Sequence, residues 1–166
     1  MSVLVLGLGN ILLQDEGAGV RLVERLEARY ELPPEVEVLD GGTSGMDLIH
    51  TIADREALIV CDAVRSDKPP GTLVRIDGED LPAFFRTRLS PHQLGLSDML
   101  AALALLERVP RRVVLIGIVP LALDLGVDLS PVVDAALDEA LPLLVTEIEA
   151  LGLSLSPRPG PALATA

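Results

Sequence analysis

The 166-residue chain has no tryptophan, one tyrosine, two phenylalanines, one cysteine and one lysine. With aromatics confined to Tyr30, Phe84 and Phe85, it offers neither a stacking platform for bases nor an aromatic cage for a cation. The single cysteine, Cys61, rules out an intrachain disulfide and points to a reducing compartment. Lys68, the only lysine, stands in a polar Ser-Asp-Lys-Pro-Pro stretch, a poor setting for Schiff-base chemistry. Positive charge is scarce overall. Thirteen basic residues against 25 acidic ones give a net charge of −12, which argues against nucleic acid and anionic membranes as partners. No apolar run approaches the roughly 20 residues that span a bilayer. The opening Met-Ser-Val-Leu-Val-Leu-Gly has no basic region and too short an apolar run for a signal peptide, so the expected location is the cytoplasm.

What is present is apolar and regularly punctuated. Hydrophobic residues make up 49% of the chain, enough for a well-filled core in one domain. Five stretches read as strands: Val3–Leu8, Val36–Asp40, Ala57–Ala63, Thr72–Asp77 and Arg112–Val119. Between Glu16 and Tyr30, apolar Val20, Leu22, Val23 and Leu26 recur at helical spacing, with Arg21, Arg25 and Arg29 on the opposite stripe. Because Glu24, Glu27 and Glu31 interleave these arginines, a solvated face is the expectation. A short helix is expected from Ser44 to about Ala53, capped by Ser44 with Asp47 in the capping-box position. Pro91–Leu106 reads as a loop followed by a helix. Ser130-Pro131 reads as a helix start, a capping serine followed by proline at the first helical position, for a helix running to about Leu151 across Pro142.

Only residues 64–71 separate the third and fourth strands, too few for a parallel crossover, so that pair is expected to be antiparallel. The expected architecture is α/β: a three-layer sandwich with a mostly parallel five-stranded sheet, one antiparallel edge strand, and helices on both faces. It occupies residues 1–151, and the Pro- and Ala-rich residues 152–166 read as a disordered tail. In such sheets ligands gather beyond the carboxyl ends of the strands.

Beyond the first strand lies Gly7-Leu8-Gly9-Asn10 and then Asp15-Glu16-Gly17-Ala18-Gly19. A dinucleotide fingerprint does not fit, since Leu12 stands where its third glycine belongs. Asp15 and Glu16 also occupy the helix start where a pyrophosphate would sit. Glu16, Asp40 and Asp62 end three successive elements on one rim, and like charges gathered there call for a cation. Asp62 weighs most, because it closes a strongly apolar run and its carboxylate must reach water or a partner. His92, in Ser90-Pro91-His92, supplies a nitrogen ligand, whereas His50 reads as structural or exposed. Two carboxylates and an imidazole suit nickel, zinc or manganese and leave coordination positions open. Ser44 misses a nucleophile elbow because Met46 stands where glycine is needed, and Cys61 reads as an inert buried thiol.

Taken together, Gly7-x-Gly9-Asn10, Asp15-Glu16-Gly17-x-Gly19, Asp40-Gly41-Gly42-Thr43, Cys61-Asp62-Ala63 and Ser90-Pro91-His92 resemble the hydrogenase maturation endopeptidases over about Ser2–Leu151. The resemblance implies an aspartyl-type, metal-dependent processing protease. Its partner would be the nickel-loaded precursor of a [NiFe]-hydrogenase large subunit, from which it removes a C-terminal extension. It further implies that Glu16, Asp62 and His92 meet nickel carried by the substrate rather than a resident metal. Asp40, Gly41, Gly42 and Thr43 match a segment linked to choice of the cleavage point, where Gly-Gly lets an extended peptide approach the backbone. Two other readings stay open: a metallohydrolase with its own zinc or manganese at the same residues, and a nucleotide-binding regulatory module using Gly7–Gly19.

Overall fold

In the computed structural model, the main chain is described for residues 1–87 and 91–160, and side chains for 1–86 and 95–160. The strands are β1 (Val3–Leu8), β2 (Tyr30–Glu31), β3 (Val36–Gly42), β4 (Ala57–Ala63), β5 (Leu73–Asp77), β6 (Arg112–Ile118) and β7 (Ser156–Pro157). The helices are α1 (Ala18–Arg29), α2 (Ile49–Ile52), α3 (Leu81–Thr87), α4 (Pro91–Leu105) and α5 (Pro131–Glu149). Five strands form one sheet in the order β3-β1-β4-β6-β5, parallel except for β5.

The alternation of side chains along the central strands sets up two cores. From β4, Ala57, Ile59, Cys61 and Ala63 join Val3 and Val5 of β1 under α1 and α5. On the other face Leu58, Val60 and Val64 join Leu4, Leu6 and Leu8 under Leu96, Met99 and Leu103 of α4. The sandwich is therefore three-layered, as expected for strands that are apolar on both faces. Asp62 falls on the α4-facing register of β4, where its neighbours Leu58 and Val60 are core residues.

Several local expectations give way to tertiary contacts. The antiparallel strand β5 pairs with β6, not with β4; β6 inserts between them. A short connection fixed the direction of β5 but not its neighbour. The first helix opens later than Glu16, because Gln14–Gly17 winds as a 3-10 turn before α1 begins at Ala18. Ser44 caps nothing: a 3-10 turn over Met46–Leu48 follows Gly45 without a side-chain cap and leads into the four-residue α2. Helix α3, which carries no strong periodic signal, went unforeseen; Leu81 and Phe85 hold it to the α4-side core. Helix α5 runs as one element through Pro142.

The arginine stripe is not simply solvated. Arg25 bridges to Asp134 at 2.7 Å and Asp138 at 3.1 Å, and Arg29 reaches Asp138 at 3.2 Å, lacing α1 to α5. Nor do residues 152–160 read as a disordered tail. Residues 156–157 pair with β2, Leu155 is buried, and Arg158 donates to the carbonyls of Glu27 and Tyr30 at 3.0 Å. Leu153 also packs on the core and the Arg158 amide donates to the Arg29 carbonyl at 2.8 Å; the expectation for residues 161–166 lies outside the described residues. No helix among the described residues is long and apolar enough to cross a membrane.

Candidate active site

The carboxyl ends of β3, β1 and β4 lie side by side, and the glycines around them determine how closely the chain can stack there. Gly7 of β1 registers with Asp40 of β3 and Cys61 of β4. A Cβ on Gly19 would stand 2.1 Å from the Cys61 carbonyl oxygen and 2.7 Å from that of Leu8, so the first turn of α1 sits directly on the strand ends. Gly9 has φ +124°, and a Cβ there would stand 1.9 Å from the Glu16 carbonyl oxygen. These glycines therefore serve backbone-to-backbone packing rather than a pyrophosphate. They press the Gln14–Gly17 turn, with Glu16 half-buried in it, onto the rim between β1 and β4.

Asp62 is completely buried, beside Cys61 whose side chain points to the opposite face. Its strand partner on β6 is Gly117, which has no side chain, while Leu115 two residues earlier on β6 belongs to the same α4-side core. Burial, then the negative charge of Asp62, push the Cys61 thiol far above its ordinary range, which fixes it as an inert core group.

Asp40 is exposed and accepts a hydrogen bond from the Gly42 amide at 2.9 Å, shaping a turn in which Gly42 takes φ +50°. Gly41 packs against Leu6, Leu8 and Leu48, and the register of β1 on β3 shifts at this point. Thr43 is exposed. The helix α4 begins on the same rim. A Cβ on Gly95 would lie 3.4 Å from the Cα of Gly45, which follows the Asp40–Thr43 segment, while the far end of α4 leads by way of Arg108 to Asp54 ahead of β4.

Asp40 and Asp62 lie near the carboxyl ends of β3 and β4, and Glu16 lies within the turn ahead of α1, but the three do not make a cation cluster by themselves. Among the described residues, no group of three or more His, Cys, Asp or Glu is spaced to hold a metal ion. The reason is burial and engagement: Asp40 faces solvent and builds its own turn, while Asp62 is inside the α4-side core. His92 occupies the first turn of α4, one helical turn before buried Leu96, and its side chain lies outside the described residues. His50 is exposed, as expected.

Sequence reading passed over Asp15 as a functional residue. Its carboxylate is wholly buried and accepts hydrogen bonds from the amides of Leu121 (2.9 Å), Ala122 (2.8 Å) and Ser130 (2.7 Å) and from the Ser130 hydroxyl (2.7 Å). Burial raises its pKa, but these four donors outweigh it and leave the carboxyl below its usual range. Ser130 accordingly does not cap α5 with its side chain. The loop held in this way carries exposed Leu121, Leu123, Leu125 and Val127 beside exposed Leu12. The available signal was the acid pair itself: two adjacent carboxylates in one turn seldom face the same way.

Two cavities lie away from this rim. One of about 550 Å³ runs between α3, α4 and the start of β6, with Leu81, Phe85, Leu100 and Ala104 in its wall. The other, about 900 Å³ and open, lies between α1 and the start of α5 beside Arg21, Arg25 and Asp134.

In a three-layer α/β domain the crevice beyond the carboxyl ends of the strands is where ligands bind, and Asp40 and Asp62 lie near that rim. The family model for hydrogenase maturation protease matches residues 20–147. The chain is 46% identical to the hydrogenase 2 maturation protease of Escherichia coli K12 over 159 residues, covering 95% of this chain and 97% of that relative. It is 44% identical to the hydrogenase expression/formation protein HupD of Rhodobacter capsulatus, covering 93% and 74% respectively. The solved structure of the hydrogenase maturating endopeptidase HybD from E. coli superposes with a TM-score of 0.92 at 45% identity, over 95% of this chain and 98% of that one. The chain belongs to the hydrogenase maturation protease family and is an endopeptidase of that class.

Proposed function

We propose that this endopeptidase removes the C-terminal extension of a [NiFe]-hydrogenase large-subunit precursor in the cytoplasm once nickel has been inserted. In this reading Glu16, Asp62 and His92 approach nickel that the precursor already carries, and the protease has no resident metal of its own. The observation that carries the reading is the pairing of a fully buried Asp62 carboxylate with the Glu16 turn pressed onto the same strand ends. A carboxylate held in a largely apolar surround interacts more strongly with a cation than one in open water.

The chemistry is aspartyl-type hydrolysis. A carboxylate of the rim removes a proton from water, the resulting hydroxide adds to the scissile carbonyl, and the proton passes to the departing amine as the C–N bond breaks. Nickel on the precursor polarises groups near the cut and places the peptide against the rim. In this reading the segment Asp40, Gly41, Gly42 and Thr43, exposed at Asp40 and Thr43 and buried at Gly41, lies beside β1 where an extended peptide can approach the backbone and register the cleavage point. Requiring the metal for docking also makes the enzyme a checkpoint, since a loaded precursor binds more tightly than an empty one by the metal–ligand contribution.

The test is to incubate the protein with nickel-loaded and nickel-free precursor and to measure product masses. Shortening of the loaded precursor alone is expected, and Glu16→Gln, Asp62→Asn and His92→Ala should each slow it about a hundredfold or more, to a residual rate, while remaining folded. Equal cleavage of both precursors refutes the checkpoint. Stoichiometric metal surviving dialysis of the purified protein instead supports a resident-metal hydrolase.

A further inference from the structure

Among the described residues, the Asp15 carboxylate is bonded only to the loop between β6 and α5, a segment more than a hundred residues away in sequence. The backbone repeats the tie. The Asp15 amide donates to the Ala122 carbonyl at 3.0 Å, the Gln14 amide to that of Gly126 at 2.9 Å, and the Gly126 amide to that of Leu12 at 2.8 Å. Gln14, held in this lattice, adopts φ +50°, a conformation that a non-glycine residue keeps only when its surroundings enforce it. On its other side the same turn rests on Gly9 through the Glu16 carbonyl. Glu16 is thus gripped from two directions by contacts that have nothing to do with helix propensity.

A plain helix start would not need this arrangement. Ser130 stands at the N-cap of α5 and has a hydroxyl able to cap it, yet that hydroxyl is given to Asp15. Burying a carboxylate is costly unless its lone pairs are met, and here four donors meet them. The result is that the two loops at the strand ends hold one fixed relative position.

We propose that Asp15 is a positioning residue of the cleavage site, acting by orienting the Glu16 turn over the end of β4. The proposal rests on the assignment of Glu16 to the site. Asparagine keeps the size of the side chain, but its amide group replaces one acceptor oxygen with a donor and turns it toward the Leu121, Ala122 or Ser130 donors.

The experiment compares wild type, Asp15→Asn, Ser130→Ala, Glu16→Gln and the Asp15→Asn/Glu16→Gln double variant. Each is followed by single- and multiple-turnover cleavage of nickel-loaded precursor, with thermal melts alongside. Asp15→Asn is expected to lower kcat about tenfold to a hundredfold with KM within about twofold of wild type, as misplacement of a reacting group does. Ser130→Ala, which removes one of the four bonds, should lower kcat about two- to fivefold. In the Glu16→Gln background, adding Asp15→Asn should change the residual rate by less than about twofold, because the effect passes through Glu16. A lower melting temperature with unchanged kcat makes Asp15 merely structural and overturns the proposal, as does an undiminished effect in the Glu16→Gln background. If Asp15→Asn does not fold, Ser130→Ala decides, and an unchanged kcat there overturns the proposal equally. Full cleavage by Glu16→Gln removes Glu16 from the site and the proposal with it. Loss in Glu16→Gln beside a fully active Asp15→Asn refutes the proposal alone.

Discussion

The two ends of the sheet hold their charges by opposite means. Where the strands begin, carboxylates meet guanidinium groups: Arg55 reaches Glu37 at 2.7 Å, Arg108 reaches Asp54 at 2.6 Å, and Arg112 reaches Glu147 at 3.4 Å. Where the parallel strands finish, Asp15 is buried against backbone amides and a hydroxyl, and Asp62 lies inside the core with Gly117 across from it. Ion pairs whose two side chains both reach solvent, such as Arg108–Asp54, tolerate movement and contribute little individually. A carboxylate met by fixed backbone donors tolerates almost none. The contrast separates an end that needs only cohesion from one that needs position.

The strand-end rim is most sensitive at Gly19. Replacing it with valine would drive a side chain into the Cys61 and Leu8 carbonyls. A loss of about 3 kcal/mol or more is expected, enough to leave little native protein in a denaturant titration. If Gly19→Val melts like wild type, the close seating of α1 on the strand ends is wrong.

Acid should distinguish the two ends next. The pKa of Asp15 is lower folded than unfolded, so its contribution to stability is complete above the unfolded value of about 3.9 and is lost as pH falls through the folded value. Melting temperature should therefore drop more steeply below about pH 4 in wild type than in Asp15→Asn, whose curve starts lower and is flatter there. Parallel curves would mean that the four donors do not hold a charge.

At the opposite end, Glu147 of α5 ties Arg75 of β5 and Arg112 of β6 to the helix. Glu147→Gln should cost about 1–2 kcal/mol in chemical denaturation, because a buried acceptor loses its charge while one amide bond survives. Precursor cleavage by this variant should stay within about twofold of wild type. A large activity loss there would erase the distinction between the two ends. The smallest effect is expected at Arg25, whose partners Asp134 and Asp138 are mostly exposed. Arg25→Ala should cost about 1 kcal/mol or less, and 0.5 M salt should shrink even that difference.

How much of this could be read from the chain differs by feature. Strands β1, β4 and β6 are legible because they are buried on both faces, which forces continuous apolar runs such as Ala57–Val60. Helix α3 is not legible, since a seven-residue helix shows barely two turns of periodicity. At the rim, Asp40 and Asp62 were readable as residues near strand ends, but they look alike in sequence and differ wholly in burial. The family was legible through its spaced motifs. The partner of Asp15 was not, because hydrogen bonds to backbone amides at residues 121, 122 and 130 leave no trace in residue identity.

By itself the sequence determined the alternation of strand and helix, the glycines that let the chain stack closely, and the placing of acids where strands end. These follow from short-range rules of periodicity and backbone freedom. Only the tertiary structure decided that β6 separates β4 from β5, that residues 155–158 dock on α1, and that Asp15 rather than a local cap organises the rim. Each of those depends on which distant segments compete for the same edge, pocket or donor, and that competition is settled by packing in three dimensions.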